Sequence, residues 1–229
     1  MKKMKLYISL LLGLFIVGSC ELDNYEGPNA KLYGAIYDNQ TNELIEQDII
    51  TGSQIEYTEL GWANAQFQYM IFKQDGTYRN DMMFAGDYSI RPTRGNFVDL
   101  PVDTVTISGE TKLDWSVQPF IRIKDCTITK VGTEIVATFR VEQTVTTNVK
   151  AISLFASIEP SLGAGYSQVK KVQNINAVVA PATVYTLKID LAANSSVLKP
   201  ENSYFFRVGA LISNSGAKYN YAPAVRINI

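Results

Sequence analysis

The sequence predicts an all-β protein: two consecutive β-sandwich domains behind an export signal and a short tether. Three observations carry this expectation. Apolar residues recur with period two, and nowhere do they keep the three-and-four spacing of an amphipathic helix over a dozen residues. Turn residues punctuate the alternating segments at Asp38-Asn39, Asp75-Gly76, Ala85-Gly86-Asp87, Ser108-Gly109, Val131-Gly132 and Ser215-Gly216. A length of 229 residues with 46% hydrophobic and 19% charged content suits two small folded domains and excludes a disordered chain.

The N-terminus sets the expected address. Residues 1–5 carry Lys2, Lys3 and Lys5, and residues 6–17 form a nearly unbroken apolar run. That run is shorter than the roughly 20 apolar residues of a membrane-spanning helix and has the layout of a secretory signal. Val17-Gly18-Ser19-Cys20 resembles a bacterial lipobox, which implies a signal peptide over residues 1–19 and lipidation of Cys20. Several acyl chains on one cysteine anchor a protein to a membrane stably where a single chain is marginal. Residues 20–29 are polar and acidic, without strand alternation, and read as the lipidated tether. An acidic stretch behind the cysteine resembles the surface-export signals of Bacteroidetes lipoproteins, which implies an outer-membrane anchor facing the cell surface.

The first domain is expected over residues 30–118. Residues 31–38 alternate as a strand, followed by the polar turn 38–43, a strand over 67–72, the Asp75-Gly76 turn and a strand from Gly86. Gly34, Ile36, Asp38 and Thr41, then Asp75, Gly76 and Tyr78, then Gly86, Tyr88 and Ile90 resemble the motifs of carboxypeptidase-regulatory-like (transthyretin-like) domains. Asn42 stands where that family usually has glycine, a mild departure because Asn tolerates the left-handed backbone. The roles this resemblance implies for Gly34, Asp38, Gly76, Tyr78, Gly86 and Tyr88 are structural: tight turns and inward-packing rings.

The second domain is expected over residues 119–229. Ile135, Ala137, Phe139 and Val141 alternate with Val136, Thr138, Arg140 and Glu142, and residues 150–158 and 184–191 repeat the pattern. Residues 198–208 resemble the E–F corner and F strand of fibronectin type III and other immunoglobulin-like domains, which implies that Tyr204 is the corner tyrosine. Phe206, Val208 and Ala210 share its face. Residues 222–229 are expected to form the closing strand.

Signal, lipobox, tether, transthyretin-like domain and immunoglobulin-like domain, in this order, resemble a family of uncharacterised Bacteroidetes surface lipoproteins (domain of unknown function). The resemblance implies a non-catalytic glycan-binding accessory of a starch-utilisation-type uptake system, with polysaccharide or oligosaccharide and outer-membrane importer proteins as partners. A structural, assembly or adhesin-like protein-binding role is the alternative, and a carboxylate-based hydrolase a remote one.

The residues themselves restrict the chemistry. The chain has no histidine, which removes Ser-His-Asp and Cys-His nucleophiles and imidazole metal ligands. No cofactor, metal site or catalytic residue is expected. The formal net charge of −1 becomes more negative by three once Lys2, Lys3 and Lys5 are removed, and no basic run follows them, which argues against nucleic acid. Of the two cysteines, lipidation of Cys20 leaves Cys126 without a disulfide partner. Carboxylate pairs such as Asp75/Asp81, Asp81/Asp87 and Glu110/Asp114 sit in no recognisable motif and read as turn residues. Sugar-binding faces use exposed rings with a few polar partners, because a planar ring offers large contact area at little entropic cost. The candidates are Tyr57 and Trp62 in a loop-like stretch, Tyr166 beside Gly163 and Gly165, and Tyr219 and Tyr221 in the last loop. Trp115 alternates with Val117 and reads as core.

Overall fold

The computed structural model describes residues 26–229; the signal segment and Cys20 lie outside the described residues. Sixteen strands and no helix make up the described chain. The first domain holds β1 (Ala30–Asp38), β2 (Gln54–Glu59), β3 (Gln68–Ile71), β4 (Thr77–Met83), β5 (Gly86–Thr93), β6 (Asp103–Ile107), β7 (Glu110–Lys112) and β8 (Trp115–Val117). One of its sheets is centred on β1, antiparallel to β4 and parallel to β7 and β8; the other runs β3-β2-β5-β6.

Between these sheets Leu32, Ile36, Ile55, Phe72, Tyr78, Tyr88, Ile90, Phe97, Ile107, Trp115 and Val117 form one buried core. The close approach around β1 explains a glycine: a Cβ on Gly34 would stand 1.8 Å from the Leu113 carbonyl oxygen. Tyr78, opposite Gly34 in the register, stacks on Trp115 at 5.1 Å and donates its hydroxyl to Leu113 O at 2.8 Å. Asp38 closes its own turn by accepting from Gln40 N at 2.8 Å, with Asn42 in the left-handed region at φ 58°. Gly76 lies in the turn before β4, Gly86 opens β5, and the Tyr88 hydroxyl donates to Phe84 O at 3.0 Å.

The second domain holds β9 (Ile121–Val131), β10 (Glu134–Gln143), β11 (Val149–Ser157), β12 (Val169–Ala177), β13 (Val184–Asp190), β14 (Ser203–Ile212), β15 (Asn220–Tyr221) and β16 (Val225–Asn228). Its sheets run β13-β10-β9 and β12-β11-β14, with β15 and β16 both paired to β14. Tyr204, Phe206, Val208 and Ala210 lie on one side of β14 and are all buried in the core with Phe139, Val141, Ile152 and Leu154. The Tyr204 hydroxyl donates to Val197 O at 3.0 Å and accepts from Lys199 N at 2.8 Å. The C-terminal segment is not one strand over 222–229: the ladder breaks at residues 222–224 between β15 and β16.

The other side of β14 meets the first domain. Arg207 is fully buried there. It donates to Glu46 at 2.5 Å, to Gln47 O at 2.8 Å, to Leu162 O at 3.1 Å and to Ala222 O at 3.0 Å, and its guanidinium lies 4.2 Å from the Tyr221 ring centre. Asn96 donates to Glu46 O and Tyr219 O, and Asn220 returns a bond to Asn96 O at 2.9 Å. Asp38 holds Arg122, which also donates to Glu142 at 2.9 Å. A buried charge survives only where its donors are satisfied, so this polar seam fixes the two sandwiches against each other.

Candidate functional site

The expected ring residues separate into two groups. Tyr57 is not in a loop: it lies in β2, its ring is 8% exposed in the first core, and its hydroxyl donates to Gln68 at 2.9 Å. Tyr221 is likewise 8% exposed, because the last loop folds into the domain junction and not into solvent. Its hydroxyl donates to Asp48 at 3.1 Å and accepts from Ala164 N at 2.9 Å. Tyr219 is half-buried against Phe155, with its hydroxyl 3.2 Å from Ser153 Oγ. Burial corrects the reading of Tyr57, Tyr219 and Tyr221 as solvent-facing loop rings. Trp62, 68% exposed, and Tyr166, 41% exposed, remain open. They sit on different loops, one in each domain. Trp62 borders an open depression of about 560 Å³ lined also by Glu59, Asn64, Gln66 and Gln68.

A further exposed aromatic surface lies outside those candidates. It is the outer face of β3-β2-β5. In register, Tyr69 lies beside Glu56 and Arg91, and Ile71 beside Gln54 and Thr93. Phe67, one residue before β3, continues the alternation, so Phe67, Tyr69 and Ile71 share one side of this edge strand and are all exposed. The inward partners Met70 and Phe72 reach the core. The sequence predicts a strand here, over 67–72, and its apolar residues at both parities signal a second, unpartnered apolar side.

The polar groups on this face are held in place. Tyr69 donates its hydroxyl to Glu56 at 3.1 Å, and Arg91 pairs with the same carboxylate at 3.0 Å. Arg94 lies 4.8 Å from the Tyr69 ring centre and donates to Gln54 at 3.2 Å and to the Tyr69 hydroxyl at 3.4 Å. The loop that presents Arg94 is fixed from below. A Cβ on Gly95 would stand 2.4 Å from the Phe97 ring, so only glycine fits there. Asn96 and Phe97 are both fully buried. Arg94 itself has φ 52°, a left-handed backbone unusual outside glycine and asparagine. Rings on a pre-formed sheet, ringed by immobilised donors and acceptors, can take up a flat polyhydroxylated ligand without reordering.

The junction also encloses an open groove of about 550 Å³. Of the four acids lining it, Asp38 holds Arg122, Glu46 holds Arg207 and Asp125 holds Arg140, while Glu43 has no salt bridge among the described residues. Burial pushes the Asp38 carboxyl up, but the bonds from Arg122, Gln40 N and Thr41 N outweigh it, and its pKa lies below the ordinary value. Burial pushes the Cys126 thiol in the same groove up to about 11, so it stays protonated at neutral pH. Among the described residues no group of three or more acids or cysteines could hold a metal ion.

Fold and site together define a two-domain β-sandwich protein with an exposed aromatic sheet face. Its first half, residues 30–118, matches the model described as "Protein of unknown function (DUF3823) N-terminal domain", and residues 121–226 match "Domain of unknown function (DUF3823_C)". The chain belongs to the DUF3823 family. It is similar to a solved structure from Bacteroides uniformis named "putative carbohydrate binding protein", at 36% identity and a TM-score of 0.82, covering 89% of this chain and 100% of that one. DUF3823 family proteins from Parabacteroides merdae (21% identity, TM-score 0.75) and Bacteroides uniformis (20% identity, TM-score 0.73) share the fold, each covering 88% of this chain and 100% of its own. No curated protein matches the chain.

Proposed function

We propose that this protein is a non-catalytic carbohydrate-binding lipoprotein, anchored through Cys20 to the outer membrane, facing the cell surface and serving a polysaccharide importer. The observation that carries the binding role is the exposed row Phe67, Tyr69 and Ile71, with Trp62 on the adjoining loop, beside the fixed polar groups of Glu56, Arg91, Arg94 and Gln54. The 36% identical Bacteroides uniformis protein supports it. The anchor rests on the sequence of residues 1–20. A binding and not a hydrolytic role is favoured by the junction acids: a glycosidase needs two facing carboxyl groups free to act, whereas Asp38, Glu46 and Asp125 each neutralise an arginine and only Glu43 of the groove lining is unpaired among the described residues.

The alternative of strand addition by a protein partner is supported by edge strands, among them β3 and the nine-residue β12. Lys170 and Lys171 stand exposed on it, and lysines on an edge discourage such pairing. Affinity electrophoresis through polysaccharide gels tests the binding role, using the chain from Glu21 onward, which contains both hydrophobic cores. Retardation by a polysaccharide, reduced about tenfold by Tyr69→Ala or Phe67→Ala, is the expected result. Equal mobility in every gel sinks the reading and directs the search to protein partners.

A further inference from the structure

We infer that the aromatic face is built for an anionic polysaccharide, one bearing uronate or sulfate groups, with Arg94 as the residue that takes the negative charge. This rests on the carbohydrate-binding reading above and narrows it to a ligand class. The first observation is charge pairing. Arg79, Arg91, Arg122, Arg140 and Arg207 each hold a carboxylate, whereas Arg94 and Arg226 have none within 4.0 Å among the described residues, and of these two it is Arg94 that stands on the Phe67–Tyr69–Ile71 face. A guanidinium carries five N–H donors, and Arg94 spends two of them on neutral oxygens, one of these at a long 3.4 Å. Its planar fork matches carboxylate and sulfate oxygens alike.

The second observation is position. Arg94 stands where the aromatic face meets a separate groove of about 490 Å³ formed by both domains. Thr93, Asp99, Asn214, Ser215 and Lys218 line that groove with it. Lys218 also lacks a salt bridge among the described residues, so the two cations outnumber Asp99, the one acid of the groove lining. The groove therefore continues the ring-bearing surface with positive charge and hydroxyl or amide donors. A sugar lying along the Phe67–Tyr69–Ile71 row meets the Arg94 guanidinium that lies over the Tyr69 ring, and a longer chain runs on toward Lys218. The third observation is backbone conformation. A left-handed arginine is a strained choice, and the surrounding loop over-determines it through Gly95 against the Phe97 ring and the bonds of Asn96. The fold holds an unneutralised cation beside a ring in a conformation that glycine would adopt more easily.

The test compares gels of neutral polysaccharides (starch, xylan, dextran) with a uronate polymer (polygalacturonate) and a sulfated one (chondroitin sulfate). Wild type, Arg94→Gly, Arg94→Lys, Lys218→Ala and Tyr69→Ala are run at low salt and at 0.5 M NaCl. Expected is retardation by an anionic gel, at least tenfold weaker in Arg94→Gly, partly kept in Arg94→Lys and weakened by salt. The two anionic gels separate carboxylate from sulfate recognition. Glycine accepts the backbone at this position, so an unchanged melting temperature certifies the variant as folded. Retardation by neutral gels alone, or anionic retardation indifferent to Arg94→Gly, overturns the inference and leaves carbohydrate binding standing. No retardation in any gel removes the reading beneath it as well.

Discussion

Two arginine–tyrosine pairs, Arg207 with Tyr221 and Arg94 with Tyr69, have nearly the same local geometry and opposite surroundings. The guanidinium lies 4.2 Å from the ring centre in the first and 4.8 Å in the second. Arg207 is fully buried, donates to Glu46 and to three backbone carbonyls, and joins two domains. Arg94 is exposed, touches only neutral oxygens, and is carried on a strained loop. Desolvating a guanidinium costs several kcal/mol, so a buried one must be saturated with partners, and saturation leaves it nothing to offer a ligand. The exposed one keeps both its hydration and its spare donors. The contact motif alone therefore does not separate structure from recognition; burial and the count of committed donors do.

The sharpest way to break this comparison is at the junction. Arg207→Met keeps much of the volume but strands the Glu46 carboxylate and the carbonyls of Gln47, Leu162 and Ala222. Removing one partner of a buried pair costs about 3–5 kcal/mol. Urea unfolding should show that loss, and the two domains should begin to unfold in separate steps. Adding Glu46→Gln should restore part of it, since the stranded charge is gone. A single transition with its midpoint unmoved would mean that the seam does not couple the domains.

A smaller effect is expected at Asp48, which ties the same junction from the first domain. Its carboxylate accepts from Ile50 N, Thr51 N, Gly165 N and the Thr51 and Tyr221 hydroxyls. Burial raises its pKa, but those backbone bonds outweigh it, and the folded value lies below 3.8. A depressed folded pKa means that the folded state holds fewer protons in that window. The stabilisation is complete above pH 3.8 and drains away as pH falls through the folded value. Asp48→Asn should cost about 1.5–3 kcal/mol at pH 7, the range for hydrogen bonds to a charged group. It should also flatten the acid limb of stability against pH, as denaturant midpoints between pH 7 and 2 would show. An acid limb as steep as wild type would assign the effect to another carboxylate.

The face and the junction differed in how far the sequence revealed them. Period-two alternation is local information, and it placed Tyr204, Phe206, Val208 and Ala210 on one side of β14, where all four are buried. The same alternation put Arg207 on the opposite side, which reads as solvent-facing until a second domain covers it. Its partner Glu46 lies 161 residues away, and nothing local announces that pairing. Tyr221 was misplaced for the same reason: a loop at the end of a sandwich is exposed only if no other domain docks there. Phe67 and Tyr69 were legible in principle, because residues 67–72 are apolar at both parities and a strand buries only one of them. Tyr57 reads from sequence as a loop residue although Gln54–Glu59 does alternate, with Ile55 and Tyr57 buried between Gln54, Glu56 and Thr58; with only two apolar residues the run is too short to stand out by itself, and pairing with β5 secures it.

The smallest expected effect sharpens the comparison most. Arg94→Gly deletes an exposed side chain whose bonds, to Gln54 and Tyr69, are with groups that water can satisfy instead. It also replaces a left-handed arginine, which carries about 1–2 kcal/mol of steric cost, with a residue that adopts that backbone freely. Against this, glycine loses more conformational entropy on folding, by roughly 0.5–1 kcal/mol. The two terms nearly cancel, so the urea midpoint should stay within about 1 kcal/mol of wild type. A loss comparable to that of Arg207→Met would show that the Arg94–Tyr69 contact holds the sheet edge together. It would then be a second structural pair, and the distinction between the buried and the exposed arginine would fail.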